Sequence, residues 1–459
     1  MICRDLDWRS PLDAFAPLAD EPYACLLTAG SAARRPGWAI LAAFPASLLT
    51  ARGGVAFLDG APLPQGAFAA LRTLGAARAE GGENLLDAPF STGLIGFVGY
   101  EMGAALEPAT AGPGSPFALP DMAFGVYDAA ALFDLESRRA FVLARTDKAA
   151  DRLAGALGKT PAAPRAARAA SFRSGASVAS NFDEASYRSA VAGVVERIRG
   201  GDLFQANLAQ HLSVETAEAP YKVFRRLMRG DAAFGAFLKY EEGALASSSP
   251  ERFFRVRRDS AAMRILAEPV KGTRPRGATA VEDARLAAEL ANDPKERAEN
   301  VMIADLTRND LSRVCRDGSI REEAVCALVS QTSVHHLVSR ISGALKPGLG
   351  AIDALEVLFP CGSVTGAPKI EAMRVIADVE KIGRGPYCGA IGYLDDRGGA
   401  DFSVAIRTVI FENGRATLPV GGGVTLRSDP HAEYMETWVK ARAMLEALGA
   451  GDTAHAGAA

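Results

Sequence analysis

Glu296 and Glu299 lie three residues apart in PKERAENVMIADLTRNDLSRV, and Glu433 and Glu436 repeat that spacing in HAEYMETWVKARAMLEAL. On a helix each pair shares one face. Set opposite each other, the pairs would form a hard-oxygen site suited to Mg2+, which takes one or two carboxylates and leaves positions for water and substrate oxygens. The alternative is two solvated helix faces neutralised by Lys295, Arg297 and Lys440. A third candidate is Lys271, in AEPVKGTRPRG, between Pro269 and Gly272 and followed by Thr273, Arg274 and Arg276. The Pro and Gly read as a stiff turn. A free lysine has a pKa of about 10.4 and is mostly protonated. Burial or a neighbouring cation can lower that to about 7–8, which frees the lone pair for nucleophilic attack. An exposed structural lysine and a phosphate ligand are the alternatives, and the order of residues is not that of a phosphate-binding loop.

Two glycine-rich segments can bring backbone close to a ligand. In CGSVTGAPK, Gly362, Ser363, Thr365 and Gly366 precede Pro368, where free N–H groups at a helix start would favour an anion. Gly421–Gly423 offers a second such surface. Either can equally be a tight turn. The histidines His211, His335, His336, His431 and His455 form no H-x-x-x-H pair, and there is no G-x-S-x-G elbow, so zincin and serine-hydrolase chemistry lack support.

Several elements must position these groups. Asp293-Pro294 and Asp429-Pro430 read as cap and first residue of the two glutamate-bearing helices. NFDEASYRSAVAGVVERIRGG reads as an amphipathic helix with Tyr187, Val191, Val194, Val195 and Ile198 on one face, stopped by Gly200-Gly201. DLFQANLAQHL alternates, with Phe204, Ala206 and Leu208 facing one way and Gln205, Asn207 and Ala209 the other. FSTGLIGFVGYEMG reads as a buried strand, and YCGAIGYL and ADFSVAIRTVIF read as two more. Asn413-Gly414 turns the chain toward RATLPV. Strands and helices mix without regular βα alternation, which predicts an α+β body on antiparallel sheets.

With 459 residues the chain is long enough for about two to three domains. It divides into an N-terminal α+β region (1–155), an Ala/Arg/Ser-rich linker or surface excursion (156–180), a main body (181–450) and a short tail (451–459). The segment from Arg152 to Phe182 contains no acidic residue. Without interleaved aromatics it reads as a linker rather than a nucleic-acid arm. A net charge of −3 gives no general bias toward nucleic acid. No apolar run is long enough to span a membrane, and the start MICRDLDWRS is charged and lacks the apolar run expected of a signal peptide. The six cysteines form no C-x-x-C pair. They read as reduced thiols of a cytoplasmic protein.

In order along the chain, GDLFQANLAQ, SSSPERF, EPVKGTRPRG, DPKERAENVMIADLTRNDL, VHHLVSRISG, FPCGSVTGAPKIEAM, CGAIGYL, FSVAIRT and GGGVTLRSDPHAEYMETWVKA together resemble the chorismate-binding enzyme family. The likeness is strong over Asn181 to Leu448 and weaker before it. It implies a large two-subdomain sandwich of antiparallel sheets flanked by helices, as in anthranilate synthase component I. Within the family, anthranilate synthases resemble P-I-A-G-T and aminodeoxychorismate synthases P-I-K-G-T, where this chain has Pro269-Val270-Lys271-Gly272-Thr273. Gln205 stands where water-adding members carry a lysine base. The combination implies amination of chorismate at C4, on the route to 4-aminobenzoate and folate. Anthranilate synthesis and a non-catalytic chorismate-binding subunit are the alternatives.

Roles implied by the resemblance follow position by position. Lys271 would attack C2 of chorismate as the C4 hydroxyl leaves, and ammonia would then add at C4 and expel the lysine. Glu251 would protonate the leaving hydroxyl. Glu299 and Glu436 would be the main Mg2+ ligands, with Glu296 and Glu433 holding metal-bound water. Tyr393, Arg407, Gly422 and Gly423 would contact a substrate carboxylate. Ser363, His336 and Lys440 also match active-site positions. No G-x-C-x-G glutaminase turn is present, so ammonia is expected from a separate glutamine amidotransferase subunit. Departures are Val270 for Ile, Cys361 for Gly and Arg427 for Asp. CLLTAG resembles the Leu-Leu-Glu-Ser element of tryptophan-sensing relatives but has Ala29 at the serine position, which argues against tryptophan feedback.

Overall fold

A computed structural model describes residues 1–30, 37–79, 88–158, 177–230, 232–259, 262–332 and 334–450. Its frame is a pair of antiparallel sheets, each of 12 strands among the described residues. The first sheet runs in the order Ile2–Leu6, Arg139–Ala144, Ala129–Asp134, Trp38–Ala42, Cys25–Thr28, Phe234–Lys239, Gly243–Ser249, Thr408–Glu412, Arg415–Thr425, Gln205–Glu215 and Ala179–Ser180, and Gly366–Ala367 also pairs with Gln205–Glu215. The second begins at the edge strand Val270–Pro275 and continues through Val334–Ala344, Met263–Ala267, Arg252–Arg258, Ala400–Val404, Ala390–Asp395, Gly93–Val98 and Met122–Tyr127.

Alternating side chains explain the layering. One face of each sheet contributes to a shared core, with Leu132, Leu245 and Ile410 from the first sheet meeting Phe97, Ile391 and Tyr393 from the second. The outer faces are covered by helices, among them Pro430–Leu448 on the first sheet and Pro294–Val314 on the second. Each fully buried Leu, Ile or Phe contributes about 1.5–3 kcal/mol, so the two sheets are held mainly by this inter-sheet core. The division near residue 155 is one of sequence and not of sheets, because strands from both sides of it hydrogen-bond within each sheet. Most of the 156–180 segment and all of the 451–459 tail lie outside the described residues. No described helix is long and apolar enough to cross a membrane.

Three local readings change. PVKGT is no turn: Val270–Pro275 is an edge strand paired with Val334–Ala344. ADFSVAIRTVIF is not one strand, since Ala400–Val404 belongs to the second sheet and Thr408–Glu412 to the first. The chain crosses between them at Arg407, whose φ of 50° ends the extended run. Phe204 precedes its strand and is 68% exposed, so it faces no core.

Candidate active site

Lys271 owes its position to a bulge. The ladder shifts between Lys271, opposite Leu337, and Thr273, opposite His336. Gly272 takes φ 78° there, a left-handed conformation a side chain would resist. The Lys271 ammonium donates to the backbone carbonyl of Ser363 at 2.5 Å. The Ser363 hydroxyl in turn donates to Glu251 at 2.6 Å, and Val270 N–H reaches the same carboxylate oxygen at 3.3 Å. Glu251 is 3% exposed. Burial raises its pKa, opposed by Ser363, Lys271 and Val270. A buried acid, a hydroxyl and an amine therefore sit in sequence along one line of contacts. Arg274 is taken up by Asp293 and Glu296, and Arg276 by Asp283, so both are occupied by carboxylates beyond this line.

The two glutamate helices meet beside that line. Asp293 and Asp429 cap them as expected, accepting from Lys295 and Ala432 N–H respectively. Lys295 lies 3.9 Å from Glu299 and 4.0 Å from Glu433, bridging the helices. Burial pushes Glu299 up to about 7, with Glu296 and Glu433 adding to the rise and Lys271 and Lys295 opposing it. Glu433 is also raised by burial and by Glu436. Glu436 is half-exposed, and the desolvation it feels is outweighed by Lys440, 2.7 Å away, so its carboxyl stays below the usual range. Glu296 stands apart from this group in one respect: Arg274 pairs with it at 3.3 Å.

Mutually repelling carboxylates, two of them largely buried, suit a divalent cation. Among the described residues no three acidic or other ligating side chains stand close enough to enclose an ion alone. A divalent cation held here would take few protein carboxylates and complete its shell with water and substrate oxygens.

The floor is the glycine run. A methyl group on Gly422 would lie 2.8 Å from Glu433 Oε2 and 3.4 Å from Glu436 Oε1, and one on Gly423 would lie 2.2 Å from Gln205 Nε2. Lys440 donates to Gly421 O at 2.8 Å. Because neighbouring residues on a strand face opposite ways, Gln205 lies across the sheet from the carboxylates. His336 and Arg407 fall elsewhere. With Thr273, Ser248 and Gln331 they line a cavity of about 430 Å³, and Thr273 Oγ1 is 3.0 Å from His336 Nδ1. Tyr393 corrects the sequence reading. Its ring packs edge-on against Phe90, centroids 5.3 Å apart, in the inter-sheet core. Strand alternation sends Ile391 and Tyr393 to that core and Ala390 and Leu394 to the other face, so Tyr393 does not join the Lys271 cluster.

Sequence reasoning missed the scaffold beneath. Arg384 and Glu380 form an ion pair with both side chains 1% exposed. Arg384 also donates to Val364 O at 3.0 Å and Asn207 O at 2.5 Å, while Glu380 accepts from Ala209 N–H at 2.8 Å. The pair clamps the Ser363 loop to the Gln205–Glu215 strand. Asn300, 1% exposed, donates to Leu337 O at 3.0 Å and accepts from Ser339, fixing the Glu299 helix on its sheet. The i, i+4 spacing of Glu380 and Arg384 was the available signal, but it resembles any surface pair.

The model of the family described as chorismate binding enzyme matches residues 24–446. Aminodeoxychorismate synthase component 1 of Klebsiella aerogenes is 36% identical over 442 residues, covering 95% of each chain. Anthranilate synthase component 1 of Streptomyces coelicolor is 35% identical over 378 residues, 78% of this chain and 73% of that one. The crystal structure of anthranilate synthase component I from Streptococcus pneumoniae superposes with a TM-score of 0.78 at 31% identity, covering 89% of this chain and 92% of the other.

Proposed function

The chain belongs to the chorismate-binding enzyme family, and we propose that it is component I of an aminodeoxychorismate synthase, converting chorismate and ammonia to 4-amino-4-deoxychorismate for 4-aminobenzoate and folate synthesis. The observation that carries this reading is the line Lys271–Ser363–Glu251, an amine and a buried acid joined through one serine. Overall identity does not separate the two amine-adding activities, since relatives of both names match at 35–37%. The lysine at 271 supports the aminodeoxychorismate reading.

In this reading chorismate lies between Lys271 and the glutamate helices. The Lys271 amine bonds to ring C2 while both ring double bonds shift and the C4–O bond breaks. Glu251 gives its proton to the departing oxygen, so water leaves. Ammonia then bonds to C4, both double bonds shift back and the C2–N bond breaks, returning the lysine. Covalent catalysis places the new amine at C4, where direct attack at C2 would give the ortho product. Glu299 and Glu436 would hold Mg2+, with Glu433 toward its waters. The bound ion would supply positive charge that orients a substrate carboxylate. Arg407, from the cavity it shares with Thr273 and His336, would take the other carboxylate, and His336 would steady Thr273 beside the Lys271 bulge. The relatives' designation as component 1 supports a partner that supplies ammonia, a glutamine amidotransferase.

The test is product identity. Purified chain with chorismate, Mg2+ and ammonium at alkaline pH should form a product that an added lyase converts to 4-aminobenzoate. Lys271→Ala should abolish that para product, with some ortho product able to appear. Anthranilate from the wild type would favour the anthranilate synthase reading, and no product under any condition would end both.

A further inference from the structure

Between the 100–105 segment, the 110–121 segment and the Lys369–Glu380 helix lies a cavity of about 550 Å³ that the proposed reaction does not use. Its walls are largely apolar, with Met102, Phe117, Leu119, Met373, Ile376 and Ile382 on them. Tyr100 lines it too, and its hydroxyl is buried with no hydrogen-bond partner. Two carboxylates stand among these side chains. Glu101 accepts the backbone N–H of Arg384 at 2.5 Å and of Gly385 at 2.9 Å, and Asp121 accepts that of Gly53 at 2.7 Å. Among the described residues neither has a side-chain cation as partner. The two cations on the same walls are engaged elsewhere: Arg384 with Glu380, and Arg52 with Ala118 O at 2.6 Å and Glu242 at 3.5 Å. Burial pushes the Glu101 carboxyl up to about 7 against the pull of its backbone donors, and the Asp121 charge adds to the rise. An apolar cavity with aromatic walls and two such acids has the make-up of a site for a cation with an apolar body.

We propose that this cavity binds a small organic cation, an amine carrying an aromatic or aliphatic body, and that the guest slackens the Ser363 loop. The connection is Arg384. Its guanidinium carbon lies 4.7 Å from the centre of the Tyr100 ring, and Glu101 holds its backbone N–H. The same guanidinium donates to Val364 O and Asn207 O. One residue on the cavity wall therefore also fixes the loop whose Ser363 joins Lys271 to Glu251. A cation drawn to Glu101 competes with the Arg384 and Gly385 N–H groups for its oxygens. It also sets a like charge near the guanidinium. Both effects loosen the clamp. The binding stands by itself, and only its effect on turnover rests on the proposed function.

The experiment uses the full chain with N,N-dimethylbenzylammonium as the probe. Its tertiary nitrogen keeps one N–H to donate and cannot replace ammonia in the product. Titration calorimetry should show saturable binding, and phenylacetate, of similar size and opposite charge, should bind at least about tenfold more weakly. Glu101→Gln should weaken the cation about tenfold, the loss of one hydrogen bond to a charged group. Ala105→Trp, at the exposed rim, should block the cavity and serves if the first variant fails to fold. With saturating probe, kcat for amination should fall about fivefold or more while the KM for chorismate stays within about twofold. Backbone amides of 361–367 should then exchange faster with solvent. Equal affinity for the two probes, or an affinity unchanged in both variants, would overturn the site. Binding that leaves kcat and amide exchange in the loop unchanged would overturn the coupling. If the wild type forms no product the amination reading fails, and calorimetry with amide exchange still decides for or against this cavity.

Discussion

Ser363 stands between Lys271 and Glu251, taking the ammonium of the first on its backbone carbonyl and giving its hydroxyl proton to the carboxylate of the second. Because the two contacts use different atoms of one residue, they can be separated by mutation. Ser363→Ala keeps the carbonyl and removes the hydroxyl. The Ser363 hydrogen bond lowers the Glu251 pKa, so its loss should leave the acid protonated to higher pH. The expected outcome is a kcat reduced about tenfold, with the alkaline limb of the pH–rate profile displaced upward. A displacement downward would mean that Glu251 is not the group being read.

Glu251→Gln should lower kcat by about 10²–10⁴-fold, the usual contribution of a general acid. It should also stabilise the fold under one condition. Burial raises the Glu251 pKa in the folded chain above its unfolded value. The stability this gives is complete below the unfolded pKa and is lost as pH rises through the folded one. Glutamine does not ionise, so the variant should melt above the wild type at neutral and alkaline pH and the gap should close in acid. Paired melting curves across that range check both signs.

Chelation should abolish turnover, and Glu299→Gln or Glu436→Gln should weaken Mg2+ binding by at least about tenfold, as titration calorimetry would measure. Glu296→Gln should have a smaller effect, since Arg274 already engages that carboxylate. A Mg2+-dependent rise in melting temperature, present in the wild type and lost in Glu299→Gln, gives a readout independent of activity.

Much of this site was legible because its signals are local. Asp293-Pro294 and Asp429-Pro430 specify helix starts through groups within three residues, and the structure caps both helices there. The paired glutamates needed only helical spacing to share a face. What stayed hidden depends on distant partners. Pro269 and Gly272 imitate a turn, yet pairing with Val334–Ala344 makes that segment an edge strand with a bulge. Alternation in CGAIGYL was visible, but not which face met the other sheet, and that parity put Tyr393 in the core. The Glu380–Arg384 pair looked like surface because spacing carries no burial.

That pair gives a test of the scaffold. Arg384→Met removes one charge from a site where both side chains are 1% exposed, leaving Glu380 buried and unpaired. Breaking a buried pair on one side costs about 3–5 kcal/mol, while replacing both partners by apolar groups is often neutral. Arg384→Met with Glu380→Leu should therefore recover part of the stability lost in the single variant, measured from denaturant midpoints. Activity should not recover with it, because Val364 O and Asn207 O lose the guanidinium that joins the Ser363 loop to its strand.

Acid should unfold this protein partly through His211. The ring stacks on Phe117, centroids 5.9 Å apart, and the residue is 7% exposed. Burial, with a further contribution from the Arg384 charge, lowers its pKa from 6.5 to about 4. The neutral ring is thus the folded form. Its contribution to stability is complete above the unfolded pKa and drains away as pH falls from 6.5 toward 4. His211→Phe preserves an aromatic face for Phe117, removes the titrating group and deletes the unpartnered Nε2. The variant should match or exceed the wild type at neutral pH and lose less stability across that window, with the difference reaching on the order of 3 kcal/mol near its lower end. Denaturant unfolding at a series of pH values reads this directly. Parallel wild-type and variant curves would place the acid sensitivity in another group.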